Sequence, residues 1–173
     1  MGSEMCIRDS YTTEMLEALW LQETELVFEK FDAADAWEIA RLLCQAMSRE
    51  PKPVAMQAVL DGFTILRYYP PATGPINEFW IEKKYNTVSR TGTSSLRAAA
   101  ELALSGREPA PWELDDKHFA LCGGGFPIYV RGKGMVGVYC VSGLPHLEDH
   151  RLLTTAISQY LHIPQRHLPE LSE

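Results

Sequence analysis

Residues 120–145, ALCGGGFPIYVRGKGMVGVYCVSGLP, are the stretch of sequence that decides the fold. Apolar, β-branched and aromatic residues flank the Arg-Gly-Lys-Gly of residues 131–134, where glycines can adopt the positive φ of a tight hairpin. The three glycines at 123–125 allow a bend or a close approach of the backbone. No Gly-Lys-Ser/Thr follows them and they lead into a strand, so neither a phosphate loop nor a dinucleotide fingerprint fits. The stretch predicts three short strands and two turns, with residues 118–122 resuming the sheet.

A second hairpin is predicted from residues 54–69. Two apolar runs, 54–59 and 63–69, are separated by the Asp-Gly pair at 61 and 62, which is a strong local hairpin signal. The pair of prolines at 70 and 71 ends the second run. The chain therefore holds two hairpin-like units.

Apolar residues at three- and four-residue steps predict helices before, between and after these hairpins. We expect the first helix to begin at Thr12 or Thr13 and the second to be capped by Asp32, with Trp37 and Cys44 on its buried stripe. Further helices are predicted from Asn77 as a cap, from Ser94 or Ser95 to Gly106, and from Leu147 onward.

These elements together predict an α/β domain of the α+β kind. Short links within each hairpin favour antiparallel pairing, and the amphipathic helices can cover both faces of the sheet. We expect about five strands.

Composition narrows the class of protein. A chain of 173 residues that is 46% hydrophobic suits one domain, expected here over residues 11–173. A net charge of −7 without a basic cluster argues against a nucleic-acid surface, and no apolar run is long enough to cross a membrane. Four cysteines without a Cys-x-x-Cys pair, and no signal-peptide core, predict a cytoplasmic protein. Residues 1–10 show neither helical nor strand periodicity, and residues 4–10 resemble translated sequencing-adaptor read-through. Residues 1–10 are therefore predicted to be a non-native or disordered leader.

Candidate chemistry is sparse in this sequence. Trp80 beside Lys83 or Lys84 suits a flat, anionic ligand, although a core Trp with two solvated lysines is the simpler interpretation. His146 and His150 stand at the i, i+4 spacing of a metal pair but lack a nearby third ligand. No catalytic residue can be assigned, since no nucleophile and base occur at a recognisable spacing.

Several motifs, in order along residues 15–162, resemble the haem-degrading domain family, the HbpS-like and GlcG-like group, and in particular its small single-domain branch. The motifs are Asn77-x-x-Trp80-x-x-Lys83-Lys84-x-x-x-Val88, Ser94-Ser95, Gly124-Gly125-x-Pro127-Ile128, Gly134-x-x-Gly137, residues 141–145 (VSGLP) and Asp149-His150. The resemblance implies a profilin-like fold of three layers, with a five-stranded antiparallel sheet between helices. It also implies assembly into dimers or larger homo-oligomers.

Site residues follow from the same resemblance. They are expected to line one shared pocket and to be Asn77, Trp80, Lys83, Lys84, Gly123, Gly124, Gly125, Ser142, Gly143, Asp149 and His150. The helical histidine that holds haem iron in some relatives has no clear counterpart here, which leaves His150 and Tyr85 as candidate iron ligands.

The resulting expectation is a haem-associated protein that binds, and by the family label degrades, haem or a related tetrapyrrole. The alternative is a non-catalytic oligomeric assembly or adaptor protein that binds a protein partner. Under that alternative, the motifs stabilise the fold and the subunit contacts. The helix at 12–22, with Leu16, Leu19 and Trp20, and the sheet edge are the expected contacts.

Overall fold

The computed structural model describes residues 11–49, 52–110 and 113–169. The leader predicted at residues 1–10 lies outside the described residues. Within them the element order is α1 (Thr13–Glu25), α2 (Ala33–Met47), β1 (Ala55–Leu60), β2 (Phe63–Tyr68), α3 (Pro75–Thr91), α4 (Ser95–Ser105), β3 (Gly125–Val130), β4 (Gly134–Ser142) and α5 (His146–Leu161).

The sheet has four strands in the order β2-β1-β4-β3, and every neighbouring pair is antiparallel. Both predicted hairpins are confirmed, since Asp61 and Gly62 turn at φ 50 and 77 and Gly132 turns at φ 77. Pairing of β1 with β4 joins the hairpins into one sheet. The outer edge of β3 is met at one point by the segment before α2, where Phe28 forms a parallel bridge with Val130.

The expected fifth strand is absent from the described residues, because residues 118–122 form turns and irregular backbone. Thr87 of α3 explains this difference. Its hydroxyl oxygen accepts from the Ala120 N–H at 3.0 Å and donates to the Ala120 carbonyl at 2.8 Å. Both backbone groups of Ala120 are therefore bound to a helix side chain instead of to a strand.

Helices cover the sheet on both faces, as expected of a profilin-like layering. One face packs against α2 and α5, with Met56, Tyr139 and Val141 in the core. The other packs against α3, with Ala55, Val138 and Cys140 beneath the helix. Helix α1 lies against α4, where Met15 and Leu19 meet Leu96 and Ala100.

Local capping explains where the helices begin. The side chains of Thr12, Asp32 and Ser94 accept hydrogen bonds from the first turns of α1, α2 and α4, as predicted. The prediction for α3 was wrong, because Gly74 is the cap and Pro75 takes the first helical position. Asn77 instead accepts from the Gly74 N–H at 2.9 Å. Helix α5 begins at His146, one residue before the predicted start.

Two further expectations about burial were wrong. Trp37 is 63% exposed and Cys44 is also exposed, because Ile39, Ala40 and Leu43 occupy the face of α2 that meets the core. In α1, Leu19 is fully buried within the chain, so it adds no apolar surface to an interface between subunits.

Candidate functional site

Helix α3 presents three different faces. Ile81, Lys84 and Val88 follow at helical steps and are all buried toward the sheet. Ile76 and Phe79 are exposed on one flank of this buried stripe. Glu78, Glu82 and Asn86 line a groove between α3 and the β1–β2 hairpin. The predicted site residues on this helix are thus divided between its interior and its surface.

The interior face carries a buried ion pair that links α3 to α5. Lys84 Nζ lies 2.9 Å from Asp149 Oδ2, and the two side chains are only 3% and 2% exposed. The ammonium also donates to the Val141 carbonyl at 3.0 Å, at the end of β4. Burial alone would lower the pKa of Lys84, but the Asp149 carboxylate outweighs it and the pKa is raised above its ordinary value.

Asp149 is held in place by the backbone that precedes α5. Its Oδ1 accepts from the Leu144 N–H at 3.0 Å and its Oδ2 from the Gly143 N–H at 3.4 Å. It also lies in the first turn of α5, where the helix dipole favours negative charge. The carboxylate therefore holds two groups in place: the turn between β4 and α5, and the Lys84 ammonium.

Three successive glycines allow the backbone to pass close to this pair. A Cβ on Gly124, whose φ is 123, would lie 2.6 Å from Lys84 Nζ, and one on Gly123 would lie 2.2 Å from the His146 carbonyl oxygen. On Gly125 it would approach Val88 Cγ2 to 2.8 Å. Residues 123–125 are glycine because protein atoms occupy the space of a side chain.

Asn77 and Ser142 complete the network. The Asn77 amide nitrogen donates to the Ser142 carbonyl at 3.0 Å, so α3 is tied to the end of β4 at a second point. The structure therefore brings together six of the predicted site residues: Asn77, Lys84, Gly124, Ser142, Gly143 and Asp149. They bind one another in the interior, and the expected shared, ligand-accepting pocket is not formed by these side chains.

His150 lies apart from the ion pair, between α5 and α1. It is 1% exposed, its Nε2 is 2.6 Å from Gln22 Oε1, and its ring lies 6.2 Å from that of Phe126. Burial, with smaller effects from neighbouring positive groups, lowers its pKa to about 3, so the ring is neutral near pH 7. Its Nε2 is already bonded to a protein side chain.

His146 is helical, so it does share the i, i+4 spacing with His150. Its Nδ1 accepts from the Gly123 N–H at 3.2 Å. Among the described residues no group of three or more His, Cys, Asp or Glu side chains could hold a metal ion.

Trp80 and Lys83 lie outside the network, half-buried beside the exposed Ile76 and Phe79. Lys83 Nζ is 4.9 Å from the centroids of both the Trp80 and Phe79 rings, which meet edge to face. Phe79 is 46% exposed and Ile76 is 59% exposed. We call residues Ile76, Phe79, Trp80 and Lys83 the aromatic face of α3.

Sequence reasoning missed two polar residues that position this region. Thr87 binds the backbone of Ala120, as described above, and Ser95 accepts from the Gly125 N–H at 2.9 Å. A Thr in the middle of a helix was the available signal for the first, and the Ser94-Ser95 motif for the second.

Within the described residues, no helix is both long and apolar enough to span a membrane.

Breaking the buried ion pair should destabilise the fold strongly. Lys84→Met leaves the Asp149 carboxylate buried without its counterion, and we expect a loss of about 3–5 kcal/mol in the free energy of unfolding. Lys83→Met is the matched control, since it makes the same change one residue away, where the ammonium meets two aromatic rings but no acidic side chain, and it should cost less than about 1 kcal/mol. Urea denaturation measures both. Equal losses in the two variants would show that the pair is not a major contributor.

The buried His150 should make stability depend on pH. Its pKa is about 3 in the folded chain and 6.5 ordinarily. The contribution is therefore complete above pH 6.5 and is lost as pH falls toward 3. Between about pH 7 and about pH 5 we expect a loss of about 2 kcal/mol, which His150→Gln should lack. Urea titrations at each pH measure the difference, and ring NMR signals that titrate near pH 6.5 in the folded protein would contradict the assignment.

Comparison with known proteins identifies the group to which the chain is similar. The model of the family described as "Haem degrading protein HbpS-like" matches residues 31–158. A UPF0303 protein of Streptomyces coelicolor is 35% identical over 141 residues, covering 81% of this chain and 89% of its own length. A UPF0303 protein of Serratia proteamaculans is 36% identical over 149 residues, with 84% and 91% covered.

Solved structures agree with the fold. The crystal structure of the Ybr137w protein has a TM-score of 0.74 at 25% identity and covers 85% of this chain and 87% of its own. A PduOC:heme complex has a TM-score of 0.64 at 18% identity, covering 74% and 93%. HbpS itself has a TM-score of 0.60 at 21% identity, covering 76% and 89%. From the family match and the relatives above 30% identity, this chain belongs to the HbpS-like haem-degrading protein family.

Proposed function

We propose that this chain binds haem or a related planar, anionic tetrapyrrole on the aromatic face of α3. The observation that carries the proposal is the position of Lys83 Nζ, 4.9 Å from the centroids of two rings, those of the exposed Phe79 and the half-buried Trp80. Rings of Phe79 and Trp80 offer an apolar contact to a macrocycle, and an ammonium beside them offers a counterion to a carboxylate at its rim.

Lys83 is suited to this role in a way that Lys84 is not. The ammonium of Lys84 is already bound by Asp149 and Val141, so it cannot meet a propionate without breaking that pair. Lys83 makes no ion pair with an acidic side chain among the described residues. Membership of the family and a haem-bound structural neighbour support a tetrapyrrole as the planar anion.

The described residues offer contacts to the propionates and the ring plane of a haem, but none of them is assigned here as a ligand of its iron. The buried network leaves no room for a macrocycle between α3 and residues 123–125, where an added Cβ would already clash. His150 is buried and bonded to Gln22, and Tyr85 points to the other flank of α3, where it lines a separate groove. We therefore limit the proposal to binding and assign no residue to oxidative breakdown of the ring.

A cytoplasmic location is part of this proposal. It is supported by the three described cysteines, Cys44, Cys122 and Cys140, none of which is in a disulfide.

Titration with hemin, followed at the Soret band, tests the function. Removing the ammonium in Lys83→Ala should weaken binding about threefold to tenfold, and removing the ring in Trp80→Ala by a similar factor. Lys133→Ala is the matched control, because it deletes an exposed lysine in the β3–β4 turn and should leave the affinity unchanged. A Soret band identical to that of free hemin, or equal affinity in all three variants, would contradict the proposal.

The second candidate function is a non-catalytic, oligomeric assembly protein. It is favoured by the exposed apolar residues at β2 and α2: Phe63 is 72% exposed, Trp37 63% and Tyr68 43%. In the part of the chain that the structure describes, no strand pairs with the outer edge of β2. Exposed aromatic residues beside an open sheet edge are typical of subunit contacts.

For this second candidate we expect at least a dimer in analytical ultracentrifugation, compared with a monomer mass of 19.5 kDa. Phe63→Glu should shift the mass toward the monomer if β2 is the contact. Trp20→Glu tests α1 separately, since Trp20 is 49% exposed. A single species at the monomer mass over a wide micromolar range would contradict assembly.

A further inference from the structure

Helix α3 carries a second cation on the flank that holds Lys83. Arg90 is exposed and follows seven residues later, so it is offset from Lys83 by only about 20° around the helix and by about 10 Å along its axis. Its guanidinium carbon Cζ lies 5.7 Å from the centroid of the Phe119 ring. The flank therefore repeats, two turns further on, the arrangement of a cation beside an aromatic ring.

Hydrogen bonds on both sides of Phe119 hold this ring against α3. The carbonyl of His118 accepts from the Asn86 amide nitrogen at 2.8 Å. On the other side, the N–H and the carbonyl of Ala120 both bind the Thr87 hydroxyl. The half-buried Phe119 ring is thus positioned by its own backbone, and its place beside the second cation is fixed before any ligand arrives.

Neither cation is neutralised by the protein. Within the described ranges, Lys83 and Arg90 form no ion pair with a carboxylate, although the chain as a whole carries a net charge of −7. A flat molecule that lies along this flank meets rings and a positive charge near each of its ends. Such a surface favours a ligand with two negative groups over a ligand with one.

We infer that Arg90 and Phe119 extend the binding site beyond the aromatic face of α3 and make it selective for planar ligands with two carboxylates. The inference rests on the tetrapyrrole binding proposed above and adds the contact to the second propionate. Lys83 binds one carboxylate as a point charge, and the guanidinium of Arg90 binds the other with two parallel N–H donors. Both side chains are long and flexible, so their charged ends can approach each other more closely than their backbone positions.

Protoporphyrin IX and its monomethyl ester test this selectivity. The two compounds share one iron-free ring and differ by a single free carboxylate, so their ratio of affinities isolates the second contact. Binding to the full chain is followed by porphyrin fluorescence. We expect the unmodified chain to bind the diacid about fivefold more tightly than the monoester, and Arg90→Gln to bring this ratio close to one.

Two further variants separate a direct contact from a structural role. Arg90→Lys keeps the charge and should retain most of the preference for the diacid. Arg151→Gln makes the same change as Arg90→Gln at an exposed arginine of α5 and should leave the preference unchanged. If Arg90→Gln weakens both porphyrins equally, or if the unmodified chain binds both equally, the inference is wrong while tetrapyrrole binding stands. If the unmodified chain binds neither porphyrin, both proposals fail.

Discussion

The ion pair between Lys84 and Asp149 is the interaction on which the arrangement of this chain depends. It connects the middle of α3 to the first turn of α5 and binds the end of β4 through Val141. Two charges without water require close geometry and further hydrogen bonds, and the backbone around residue 144 supplies them. The glycines at 123–125 are a consequence, because a side chain there would separate the charges or the helices that carry them.

Much of the fold could be predicted because its signals are local. Asp61-Gly62 and the glycines after Arg131 determine turns within a few residues, and the caps Thr12 and Asp32 act on the next turn of the chain. The fifth strand could not be excluded in this way. Its backbone is bound by Thr87, a residue 33 positions away, and no local pattern reports such a distant competitor for hydrogen bonds.

The site was predicted less completely, for a related reason. The family resemblance predicted a shared pocket that includes Asn77, Lys84 and Asp149, but it could not show that these residues form bonds within the protein. Lys83 and Lys84 are adjacent and chemically identical in the sequence. One helical step of about 100° places the first beside the rings of Phe79 and Trp80 and the second in the core. Only packing against the sheet decides between these positions.

The two outer strands of the sheet differ in a way that bears on aggregation. β3 is met by the segment at Phe28, whose N–H and carbonyl bind the backbone at residues 129 and 131. β2 has no such cover in the described chain. A molecule with one open sheet edge can pair that edge with the same edge of a second copy in a two-fold symmetric dimer. Both open edges are then hydrogen-bonded and no longer available for further pairing. Growth would then stop at a pair, so the covered β3 edge protects the protein against extension into fibrils.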